Sequence, residues 1–178
     1  MLGIIDGKPV IGVPGYPVSA YIVMDKVVKA VVEKLTGLSH SERPKIEATL
    51  TNRIVSSLKS EEFVRVAMGY VDGGYFATPL ERGAAAVMSM VKADGLLTID
   101  RNSEGAEQGE NVSVELLRDE RSIRRNLVIS GSHDVVIDVI GNAMDVVSSH
   151  TGSMGGILAM KSGAAHIAPI HLLDAESG

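Results

Sequence analysis

Three places in the chain combine small, rigid and polar residues in a way that suits an anion. In Pro14-Gly15-Tyr16-Pro17, two prolines hold φ near −65° and remove two backbone donors, which makes a stiff corner. An apolar helix pattern follows at once, with Ser19 in its first turn, and Pro17 suits the first helical position. A helix starting there aims its unpaired N–H groups at whatever lies before it, as an anion site requires. The plainer reading is a rigid corner and nothing more. The second and third places are Ser130-Gly131-Ser132 and Gly152-Ser153. Each follows an apolar run that reads as a strand and precedes one that reads as a helix. Ligands of open α/β sheets bind at such carboxyl ends, and two helix N-termini carrying hydroxyls at Ser130, Ser132 and Ser153 would suit a small oxyanion. The competing reading is N-capping, with Ser132 and Ser153 holding the two helix starts.

The elements that position these residues fall into three regions, which together predict a mixed fold. In 1–41, Ile4-Ile5 and Val10 to Val13 read as strands joined at Asp6-Gly7, a tight-turn signal. Met24, Val27, Val28, Val31, Val32 and Leu35 then recur at helical spacing, and Gly37 suits a left-handed cap. In 44–118 the period becomes two. Ile46, Ala48 and Leu50 alternate with polar residues, as do Val64, Val66 and Met68, and Asp72-Gly73-Gly74 signals a hairpin. Strands are also expected at Gly95–Ile99 and Val112–Leu116, with a short helix at 84–91 and an exposed acidic loop at 104–110. Short strands at this density predict a small β-barrel or sandwich. In 124–178 the pattern reads strand (127–129), helix (134–144), strand (146–149), helix (154–162), strand (167–172), a βαβαβ unit with a parallel sheet. The first region is too small for a core of its own, and the third is at the margin. Both ends are therefore expected to be completed by further chain or by another subunit.

Composition narrows the function classes. Net charge is −5, aromatics are 3 % and no Lys/Arg run stands out, so neither a basic footprint nor a stacking platform for nucleic acid is expected. Cysteine is absent, which removes disulfides, thiolate metal sites and cysteine nucleophiles and fits a cytoplasmic protein. No apolar stretch reaches membrane-spanning length. His133, His150, His166 and His171 cluster late in the chain, with His40 elsewhere. No pair has zinc spacing with a third ligand, so no metal site is expected from them.

Several segments, in order, carry a family resemblance. Val10-Ile11-Gly12-Val13-Pro14-Gly15-Tyr16-Pro17-Val18-Ser19-Ala20 resembles the GLPGNPVSA segment of MoeA and gephyrin E-domain proteins. Phe63-Val64-Arg65-Val66, Ala77-Thr78-Pro79-Leu80, Ala93 to Ile99 and Gly109 to Leu116 resemble strands of that family's C-terminal β-barrel domain. From Val128 to Asp134, Gly152 to Gly156 and Ile170 to Asp174, the third region resembles the start of a type II periplasmic-binding-protein-like, LysR-effector-like domain, a known fusion partner.

The resemblance implies domains of 1–41 (the end of the molybdopterin-binding α/β domain), 44–118 (the barrel) and 124–178 (a partial binding-protein-like unit). It implies molybdenum cofactor biosynthesis, in which molybdate is inserted into adenylylated molybdopterin with release of AMP. Mg2+ is expected to shield phosphate charge, its ligands lying upstream of this chain. A homodimer is expected, with the barrel of one chain closing over the active site of the other, and this chain alone should be inactive. The resemblance places Pro14, Gly15, Tyr16, Pro17 and Ser19 beside the substrate. The family carries Asn where this chain has Tyr16, so only a backbone role is carried over there. Arg65 and Arg82 are candidates for phosphate or molybdate oxygens, with solvated arginines on a barrel rim as the alternative. Ala84 and Ala85 lack the hydroxyl that many members have nearby. Asp6-Gly7-Lys8-Pro9 is only superficially similar to the family's PGKP motif, and no site is assigned to Lys8. The rival reading is a sensor that binds molybdate or tungstate at Ser130, Ser132 and Ser153. A third is a dimerisation module with no ligand.

Overall fold

Residues 1–38, 42–81 and 87–173 are described by a computed structural model. The chain divides into two compact units, Met1–Arg43 with Glu81–Lys92, and Pro44–Leu80 with Ala93–Gly178.

In the first unit, β1 (Leu2–Ile5) and β2 (Lys8–Ile11) pair antiparallel. Asp6 and Gly7 both have positive φ, the turn whose twist matches paired strands. The second strand stops at Ile11, short of the expected Val13, and Gly12 N–H closes the pairing on the Met1 carbonyl at 2.8 Å. The expected helix runs from Pro17 to Thr36 as α1 (Pro17–Val23), a π-helical turn (Met24–Val28) and α2 (Lys29–Thr36). Gly37, at φ 72°, ends it in the left-handed conformation. Arg43 returns to this helix through a 2.7 Å ion pair with Asp25. The short helix α3 (Val87–Val91) belongs to the same unit. None of the described residues of 1–43 is buried.

The second unit is built on a closed five-stranded barrel. Its strands are β3 (Lys45–Leu50), β5 (Glu62–Val71), β6 (Gly74–Pro79), β7 (Gly95–Ile99) and β9 (Asn111–Leu116), in the order β3-β6-β5-β7-β9. β9 closes antiparallel onto β3, and β3 runs parallel to β6. Alternation fixes which side chains point inward. Ala48 and Leu50, then Val64, Val66 and Met68, then Val112, Val114 and Leu116 form the core, with Ile123 of α4 (Glu120–Ile123) packed into it. The expected hairpin turns at Asp72-Gly73, both at positive φ. The exposed loop expected at 104–110 is instead partly a strand. β8 (Gly105–Ala106) pairs with β4 (Ile54–Val55), and Ala106 is buried in the core. Gly105 makes this possible: its φ is 128°, and a Cβ there would lie 1.8 Å from the Ile54 carbonyl oxygen.

The third region is part of this same unit. β10 (Leu127–Gly131) and β11 (Val146–His150) pair in parallel, with α5 (Val135–Gly141) between them and α6 (Gly152–Lys161) after them. The strand expected at 167–172 is reduced to one parallel bridge, Ile129 with Ile167, in which Ser130 N–H bonds the Ile167 carbonyl, and to one further bond from Ser132 N–H to the Pro169 carbonyl. Pro169 has no N–H to continue the ladder. These bonds lie on the edge of β10 opposite β11, so β10 is central. Val71, Phe76, Val128, Ala159 and Ala165 join this sheet to the outside of the barrel. Gly69 leaves the room: a Cβ there would meet Val128 Cγ2 at 2.1 Å.

Candidate functional site

The proline corner is surface. Pro14, Gly15, Tyr16, Pro17 and Ser19 are all exposed, and nothing lies within 4 Å of a Cβ placed on Gly15. Tyr16 is the N-cap residue of α1, extended at φ −79° and ψ 125°, with no side-chain cap, and Pro17 occupies the first turn. The Tyr16 carbonyl accepts from Ala20 N–H at 2.8 Å. The first turn therefore carries no side-chain acceptor from its own cap residue, which leaves its N–H groups for water or an anion.

Arg65 differs from the rim arginine considered above. It lies in β5 opposite Leu96 of β7 and is only 6 % exposed. Its carbonyl accepts from Leu80 N–H. Arg82, Ala84, Ala85 and His40 lie outside the described residues.

The serines of the third region come together in pairs at the carboxyl ends of β10 and β11. Ser130 Oγ lies 3.0 Å from Thr151 Oγ1, and Ser132 Oγ lies 3.0 Å from Ser153 Oγ. Ser153 Oγ also accepts from His171 N–H at 3.1 Å. The His133 and His150 rings stand beside them with centroids 4.5 Å apart. Neither serine caps a helix. Asp134 caps α5 by accepting from Val136 N–H at 2.8 Å, and α6 begins after Thr151 with no side-chain cap. The capping reading therefore fails, because Asp134, two residues nearer the helix, takes the Ser132 role and the two hydroxyls satisfy each other.

Two polar clusters escaped the sequence reading. In the first, Tyr75 donates to Glu120, and Arg124 bonds Glu120 at 2.9 Å while lying 4.1 Å over the Tyr70 ring. Burial and the Glu120 hydrogen bond push the Tyr75 hydroxyl up to about 12. Its hydrogen bond from Tyr75, and then Arg124, hold the Glu120 carboxyl below its ordinary value. The second surrounds Asp94, 2 % exposed, which accepts from Met68 N–H, Asn126 Nδ2 and Arg118 Nη1 at 2.8, 3.0 and 3.0 Å. Burial pushes its carboxyl above the ordinary value, against the pull of the Met68 N–H and of Arg118. The signal for the second cluster was an acid entering an otherwise apolar strand at Ala93-Asp94-Gly95.

Among the described residues no group of three His, Asp or Glu side chains could hold a metal ion, so these residues do not fit Mg2+. Among them, too, no helix is long and apolar enough to cross a membrane.

Comparison with known proteins places the barrel. Residues 47–117 match the MoeA C-terminal region (domain IV), and residues 141–178 match a PBP superfamily domain. A Methanocaldococcus jannaschii protein named for molybdopterin biosynthesis is 32 % identical over 117 residues, covering 65 % of this chain and 26 % of that protein. The crystal structure of a molybdopterin biosynthesis MoeA protein from Pyrococcus horikoshii is 31 % identical over 66 % of this chain and 28 % of its own, with a TM-score of 0.52. The chain thus spans about a quarter of the length of the relatives it matches. Its fold is the mixed one expected, with a closed barrel in the second unit. The chain thus carries, in one polypeptide, a barrel that matches the MoeA C-terminal region and a later segment that matches a PBP superfamily domain.

Proposed function

We propose that this chain is the C-terminal portion of a MoeA-type protein of molybdenum cofactor biosynthesis, one that takes adenylylated molybdopterin and molybdate, releases AMP and leaves molybdenum on the dithiolene. The closed barrel of 45–116, matching MoeA domain IV at 47–117, is the observation that carries this reading. In this reading 1–41 ends the molybdopterin-binding domain, 44–118 is the covering barrel and 124–178 is a partial binding-protein-like unit. The exposed corner at Pro14 to Ser19 forms one wall of the substrate site, where the first N–H groups of α1 face phosphate or molybdate oxygens. Arg65 and Arg82 are the candidates within 44–118 for those oxygens. Mg2+ would screen the phosphates from ligands elsewhere in the whole protein, which we place in the cytoplasm as a homodimer. The chain alone would form a wall without catalysing the reaction.

One observation favours an oxyanion sensor instead: Ser132 and Ser153 do converge at the strand ends. Their mutual hydrogen bond weighs against it, since an anion would have to displace a satisfied pair. A thermal-shift titration separates the readings, because a ligand that binds only the folded state raises its midpoint. Adenylylated molybdopterin should stabilise the chain, and Gly15→Val should abolish the effect by crowding the corner. Stabilisation by molybdate alone, lost in Ser132→Ala with Ser153→Ala, would favour the sensor. No response to either ligand, with a dimer in solution, would favour a dimerisation module. AMP release by the isolated chain would contradict the role of a non-catalytic wall.

A further inference from the structure

The third region is tied to the barrel at both ends of its sheet, and the tie at the strand starts is the more buried. Asp94 enters β7 and, as described, gathers Met68 N–H, Asn126 Nδ2 and Arg118 Nη1 on its carboxylate. Its backbone carbonyl also accepts from Leu117 and Arg118 N–H at 2.8 and 3.3 Å. Asn126, 3 % exposed, donates a second time to the Met68 carbonyl at 2.7 Å. Both groups facing its amide nitrogen are acceptors, which fixes its orientation even though its own buried Oδ1 has no hydrogen-bond partner. The other arm of Arg118 reaches Asp145 at 2.8 Å. Asn126 immediately precedes β10 and Asp145 immediately precedes β11, and Leu127 N–H bonds the Asp145 carbonyl at 2.9 Å. The starts of both parallel strands therefore hang from one barrel carboxylate. At their far end, among the described residues, Ser149 Oγ donates to Asn52 Oδ1 at 2.8 Å.

We infer that Asp94 is a positioning residue that locks the third region onto the barrel, so that β10 and β11 can come away from the barrel as a unit when the contacts of Arg118 and Asn126 are broken, while the barrel stays closed. Charge-assisted hydrogen bonds to a buried carboxylate are the strong kind, and breaking them leaves a buried charge short of donors. The barrel core has packing of its own, since Leu50, Val66, Val114 and Ile123 belong to one buried apolar cluster.

Amide hydrogen exchange on the intact chain tests this, since it reads opening strand by strand. Asn126→Ala and Arg118→Gln should each speed exchange in Leu127–Gly131 and Val146–His150 by about tenfold or more, leaving β3 and β9 as slow as in the unaltered chain. Arg118→Lys should restore part of the protection, and Asp145→Asn should add little once Arg118 is Gln, because the pair is then already broken. A general stabilising role would instead speed exchange in barrel and third region alike, and that result overturns the proposal. So does unchanged exchange in both strands. Should Asn126→Ala not fold, Arg118→Gln decides, because Arg118 is 35 % exposed and its loss leaves the barrel core intact.

Discussion

Tyr75, Glu120, Arg124 and Tyr70 form a polar and aromatic clasp outside the barrel core, with Tyr75 packed against that core and α4 supplying Glu120. A tyrosine hydroxyl raised from 10.0 to about 12 makes folding depend on pH in a definite direction. Below pH 10 the hydroxyl is neutral in both states and its contribution is complete. Between about pH 10 and 12 the unfolded chain loses the proton first, so the contribution is lost as pH rises. Tyr75→Phe should flatten that alkaline decline. Thermal midpoints measured at several values from pH 9 upward check it, and equal slopes in the two proteins would refute the assignment. None of this was legible in the sequence. Tyr75 sits five residues from Tyr70 and 45 from Glu120, and only the hairpin and the return of the chain at α4 bring the three together.

At the scale of elements, what depends on local chemistry was legible and what depends on tertiary approach was not. Asp6-Gly7 and Asp72-Gly73 announce their turns because both central residues must have positive φ, and alternation of apolar residues named the inward face of β3, β5 and β9. By contrast, β8 hides in an acidic, glycine-containing stretch, since a two-residue pairing has no period to read. The last strand was over-read because its apolar run outweighed Pro169, whose missing N–H stops the ladder. Gly69 read as one more residue of a strand, yet it is where β10 meets β5. Gly69→Ala should lower the unfolding free energy by about 1–3 kcal/mol, because Val128 and its strand must move to admit a methyl group. Denaturant unfolding measures this. A substitution that left stability unchanged would mean that the barrel and the third region are not packed as described.

For the molecule as a whole, the sequence separated a barrel from a parallel α/β region by the change of period. It could not show that the two share a unit, because their joint surface rests on one glycine, a few small apolar side chains and a buried carboxylate. Nor could it show that 81–92 leave the barrel for the N-terminal stretch. Of the candidate residues, the sequence marked the corner at Pro14 to Ser19, which is exposed, and the two serine-bearing turns, whose Ser132 and Ser153 hydroxyls lie 3.0 Å apart. The burial of Arg65 was not foreseen, because an arginine that alternates with the inward-facing Val64 and Val66 reads as facing solvent.

The claim on which the functional account rests is that this chain does the work of the last quarter of a MoeA-type protein. The direct measurement is AMP release from adenylylated molybdopterin, with and without molybdate. The enzyme is a chimera in which this chain replaces the matching 117-residue stretch of the Methanocaldococcus jannaschii relative, and that relative serves as the positive control. The account predicts molybdate-dependent AMP release, matched by molybdenum bound to the product. A folded chimera that binds the nucleotide but releases no AMP, where the relative does, would contradict it.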